Sequence, residues 1–144
     1  MRKTLAALAL GLAAVFAAPA QADDEKLVTI VATAEPQTQL MAMVLTMQSV
    51  MKGADARILL CGPGGDIALV DAPDSATAPQ KPKSMSPQSL MSAIMEKGVP
   101  VEVCAIYLPN KGVGPDALLP GVGVAKPPAI AEAIMADDVR LLSF

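Results

Sequence analysis

The sequence predicts an α/β fold. The expected form is a three-layer sandwich, with a mainly parallel sheet of roughly four to five strands in the order 2-1-3-4 and helices on both faces. Three observations lead there. Apolar runs alternate along the chain with segments of helical periodicity, the pattern of successive βαβ units. The runs show little apolar–polar alternation, as expected of strands buried on both faces. Glycine and proline fall at the joints between them.

Residues 27–33, LVTIVAT, are β-branched and apolar and make the first strand. Pro36 suits the first position of a helix. The helix spans 37–52, with Leu40, Met43, Val44, Met47 and Met51 at helical spacing and Gly53 as the stop. Met41, Leu45 and Val50 widen its apolar stripe beyond one face, as in a helix sandwiched in the core or buried in a subunit contact, the second being the favoured reading. The second strand covers 54–61 and ends in Cys61. The following Gly62-Pro63-Gly64-Gly65 lacks the Lys-Ser/Thr of a phosphate loop and reads as a tight exit turn. Residues 67–70 are a short apolar piece, and 71–84, rich in Pro, Ala, Ser and Lys, read as a mobile surface loop.

Ser86 is the N-cap of a helix with Pro87 in its first turn and Leu90, Met91, Ile94 and Met95 inward. Gly98 closes it. Residues 99–106 read as a strand, stopped by Tyr107-Leu108-Pro109-Asn110 and placing Cys104 near its carboxyl end. That edge of an open α/β sheet is where ligands and chemistry collect. Residues 111–124 are punctuated by Gly and Pro, with one helical turn expected at 115–119. Lys126-Pro127-Pro128 opens a last helix with Ile130, Ile134 and Met135 inward, and 139–144 form a closing strand.

The first 22 residues are set apart. Arg2 and Lys3 precede an apolar run, 5–16, and Ala20-Gln21-Ala22 offers an A-x-A cleavage site, the layout of a Sec-type signal peptide. The run is too short for a spanning helix. The expectation is therefore a periplasmic protein with no membrane anchor after cleavage, and a single domain over 23–144. Loss of Arg2 and Lys3 takes the formal charge from −3 to −5. An acidic surface without basic clusters argues against nucleic acid and anionic membrane as partners. The chain has no histidine, which removes the Ser-His-Asp triad, the Cys-His dyad and imidazole metal sites.

The stretch 98–113, GVPVEVCAIYLPNKGV, resembles the cysteine strand of the DsrE/DsrF-like family, which includes the TusD-type sulfur-relay subunits. The ending is similar too: a helix, the acidic turn Asp137-Asp138, and a last strand to Phe144. The resemblance implies a small α/β layer sandwich that assembles as a homotrimer or homohexamer. It implies that Cys104 is the sulfur-carrying position, exchanging a persulfide with a donor or acceptor protein, with no cofactor. The chain departs from the sulfur-relay members in its signal peptide, in the second thiol, Cys61, and in the insertion 71–84.

Sulfur exchange needs a thiolate, so the absence of histidine is no obstacle. Lys111 and the helix start before Pro127 are candidates for lowering the thiol pKa. In a 2-1-3-4 sheet, Cys61 and Cys104 end strands on either side of the first strand, about 10 Å apart. A disulfide needs Cα atoms within about 7 Å, so two free thiols are expected. Two other classes stay open. Met43, Met47 and Met51 share a helix face, and thioethers with thiolates select Cu(I). A non-catalytic oligomeric binding module would keep the fold without the chemistry.

Overall fold

A computed structural model describes residues 25–144; the proposed signal peptide lies outside the described residues. The fold is α/β, a sheet of five parallel strands with helices on both faces. Strand β1 is Lys26–Val31 and is followed by helix α1, Pro36–Val50. Glu35 caps α1, its carboxylate accepting from the Gln37 and Thr38 amides. The helix is locked to the sheet by a buried hydroxyl pair, Thr29 Oγ1 to Thr46 Oγ1 at 2.7 Å.

Strand β2, Asp55–Leu60, pairs with β1 in parallel. A 3₁₀ segment, Gly62–Ala68, follows. Residues 71–84 are not the open loop expected from their composition. They hold the short helix α2, Asp74–Thr77, whose Ala76 is fully buried, and a bridge between Gln80 and Met85. Helix α3, Pro87–Met95, begins with a capping box between Ser86 and Ser89, and buries Leu90, Met91 and Ile94.

Strand β3 is shorter than predicted, Val101–Val103. The apolar run beyond it belongs to helix α4, Tyr107–Lys111, where Tyr107 and Leu108 turn into the core and Ile106 is left 72% exposed. A hydrophobic run does not tell a buried strand from the strand-to-helix turn that ends it. A two-residue strand β4, Gly123–Val124, pairs with β3; sequence periodicity gave no sign of it. Helix α5, Pro127–Met135, and strand β5, Val139–Ser143, close the chain. Of the three inward residues expected in α5, Ile130 is buried, but Ile134 and Met135 are 38% and 79% exposed.

The strand order is β4-β3-β2-β1-β5, not 2-1-3-4. The difference has a physical basis. Helices α1 and α3 pack together on one face, and successive right-handed crossovers on one face march the strands in one direction, β1 to β4. Among the described residues α5 covers the other face, and its crossover returns the chain to the free edge of β1. The larger core joins β1 and β2 to α1 and α3 through Val31, Met43, Ile58, Leu60, Met91 and Ile94. The smaller one, Leu59, Ala125 and Ile130, lies on the α5 face.

Candidate functional site

The cysteines are placed by strand register. Leu60 of β2 is opposite Val103 of β3, so the next residue on each strand is a cysteine. The Cys104 amide donates to the Leu60 carbonyl at 2.8 Å, and the Cys61 amide to the Val31 carbonyl at 2.9 Å. With β3 beside β2, the two Cα atoms are 5.1 Å apart, and Cys61 and Cys104 form a disulfide across 43 residues. The expectation of two free thiols is therefore corrected. It rested on a strand order that put β1 between them, whereas their real spacing lies inside the window a disulfide requires. Both residues are half-buried, at the carboxyl edge of the sheet and against the smaller core.

Gly62 and Pro63, just after Cys61, and Ile106 and Tyr107, past Ala105 on the Cys104 side, line a groove of about 450 Å³ with Asp66, Asn110 and Lys111. Gly64 and Gly65 explain themselves here. A Cβ on Gly64 would collide with the Val31 carbonyl, and one on Gly65 would enter the Tyr107 ring. The glycines thus serve close packing of the 3₁₀ segment against β1 and α4, as an exit turn does. That packing brings the Tyr107 hydroxyl within 2.6 Å of Asp66 Oδ1, to which it donates. Burial, then the Asp66 carboxylate, pushes the phenol well above its ordinary value, so it stays a donor.

Lys111 also reaches Asp66 Oδ1, at 2.7 Å. Its ammonium is held at the groove by that carboxylate. Sequence reading singled out Lys111 but missed Asp66 and Tyr107; the only local signal was the Gly-Gly-Asp that follows Cys61. The three methionines of the stripe fall in different surroundings. Met43 is sealed in the core, Met47 is half-buried and Met51 is 64% exposed beyond the helix end.

No family model and no curated protein matches the chain. Solved structures do. It is similar to YchN from E. coli with a TM-score of 0.60 at 21% identity, over 83% of this chain and 99% of that one. It is similar to MTH1491 of Methanobacterium thermoautotrophicum, a protein of unknown function, with a TM-score of 0.63 at 15% identity, over 84% and 100%. The chain has a DsrE/YchN-like fold.

Proposed function

We propose that this protein is an exported sulfur-exchange protein whose working group is the Cys61–Cys104 pair. The observation that carries the reading is the position of that pair. Two cysteines remote in sequence end adjacent parallel strands at the sheet edge where chemistry collects, half-buried and beside a groove. The resemblance around Cys104 and the DsrE/YchN-like fold support sulfur as the cargo. The signal-peptide layout of residues 1–22 supports export to the periplasm, where a thiol pair persists as a disulfide until reduced. Assembly as a homotrimer or homohexamer belongs to the same proposal.

The working cycle starts from the dithiol, made by an external dithiol reductant. The Cys104 thiolate attacks the outer sulfur of a persulfide, RSSH. The donor S–S bond breaks, RS⁻ leaves with the electron pair, and Cys104 carries S–SH. An acceptor thiolate then takes that outer sulfur. With no acceptor, the Cys61 thiolate attacks the inner sulfur and expels HS⁻, closing the disulfide. In that branch the dithiol has supplied two electrons and the outer sulfur is released as sulfide. Cys61 thus limits how long the persulfide survives.

The test uses the Cys61→Ser variant, which cannot close the ring. Incubated with glutathione persulfide, it gains the mass of one sulfur atom on the peptide holding Cys104. The wild-type dithiol gains none and returns to the disulfide. A Cys61→Ser protein that takes up no sulfur overturns the proposal.

A further inference from the structure

Helix α1 carries more apolar surface than the sheet covers. Ala42 and Met43 are sealed, but Leu40, Val44 and Met47 are only partly buried, and Met41 is 50% exposed. On this side the chain beyond α2 folds back on itself. The Gln80 amide donates to the Met85 carbonyl at 2.8 Å, closing a tight turn over 81–84. Between the turn and α1 lies a cleft of about 810 Å³, within the ordinary range for small-molecule sites.

The cleft lining is mostly apolar, with two cationic side chains. Leu40, Val44, Met47, Met85 and Leu90 supply apolar surface, and Gln37, Gln48 and Gln80 also line it. Unbranched thioethers adapt to a flexible chain better than branched side chains do. Lys81 and Lys83 stand on the turn. Neither makes an ion pair or hydrogen bond with a described residue, and no acidic side chain lines the cleft, although the chain as a whole is acidic. A largely apolar cleft that carries two ammonium groups and no carboxylate among its described lining matches a hydrocarbon tail with one anionic head.

We propose that this cleft binds a single free long-chain fatty carboxylate, its tail along α1 between Val44 and Met85 and its head at Lys81 and Lys83. The site is separate from the cysteine pair and does not depend on the sulfur chemistry.

The full chain with its disulfide intact is titrated with a fluorescent fatty-acid probe, which is then displaced by saturated fatty acids of increasing length. Saturable displacement is expected, tightening roughly tenfold for each two methylenes until the cleft is filled. The fatty alcohol of equal length, lacking the charge, binds roughly fivefold more weakly, and the K81E/K83E variant loses the preference for acid over alcohol. The C104S variant binds as the wild type does, which separates this site from the sulfur reading. Absence of displacement, affinity independent of chain length, or equal binding of acid and alcohol would overturn the proposal. So would light scattering that shows an oligomer dissociated by Met41→Asp, since a second copy then fills the cleft. Binding to phosphatidylglycerol vesicles without uptake of the free acid overturns it as well.

Discussion

Changing both cysteines to serine removes a covalent tie between positions 43 residues apart. Loop-closure entropy for that separation is worth about 4 kcal/mol at 25 °C. The tie is not what sets the strand register. The Cys104 amide still has the Leu60 carbonyl, the Cys61 amide still has Val31, and the cores on both faces of the sheet remain. A domain of this size has about 5–15 kcal/mol to lose, so the dithiol state stays folded. With an unfolding entropy of about 2.1 cal/mol/K per residue over residues 25–144, the Tm of the Cys61→Ser/Cys104→Ser variant falls by about 15 °C. Wild type measured with a phosphine reductant falls by a similar amount. Thermal melts followed by circular dichroism read both. If the reduced protein shows no cooperative transition at 25 °C, the bond is a scaffold element and a working dithiol is impossible. If Tm does not move, the loop-entropy reasoning fails.

Three further outcomes follow from particular contacts. Thr46→Val leaves the Thr29 hydroxyl buried without its partner and costs about 1–3 kcal/mol in urea denaturation, most of it recovered when Thr29→Val is added. Gly65→Ala forces a methyl into the Tyr107 ring and costs about 1–3 kcal/mol, reduced when Tyr107→Leu opens the space. Three exposed carboxylates are held below the ordinary range: Glu35 by the Thr38 hydroxyl and then the Gln37 amide, Glu25 by Arg140, and Asp138 by Lys26. Each favours the charged form in the folded state, so its contribution is present above the unfolded carboxylate pKa and is lost as pH falls through the lower folded value. Stability measured against pH is therefore level from neutral down to about pH 5 and declines below about pH 4. Glu35→Gln makes that decline shallower, and high salt shrinks the parts due to Glu25 and Asp138.

The alternation of strands and helices was legible because each depends on short-range pattern. Pro36 and Pro87 open helices and Ser86 caps one because those roles are fixed by local backbone chemistry. Strand order was not legible, because it depends on which face each crossover helix chooses. Residues 87–95 carry an inward stripe whichever face they cover. One wrong neighbour then changed the chemistry: setting β3 beside β1 separates the cysteines, and setting it beside β2 joins them. Asp66 and Tyr107 escaped notice for the same reason. They are 41 residues apart and meet only after β2 and β3 align, with Gly65 small enough to admit the ring. The excess apolar surface of α1 was visible from its composition, but the turn that forms a cleft over it was not.

In the proposed cycle two strand-end thiols pass sulfur at one edge of the sheet, with Cys61 resolving what Cys104 receives. It is tested most directly by counting sulfide released in a single turnover. Fully reduced wild-type protein, mixed with excess glutathione persulfide and no other thiol, is expected to release one sulfide per chain and to finish as the Cys61–Cys104 disulfide. Cys61→Ser and Cys104→Ser release none above the donor's own background. Equal release from wild type and from either serine variant would contradict the account, because the pair would then take no part in the exchange.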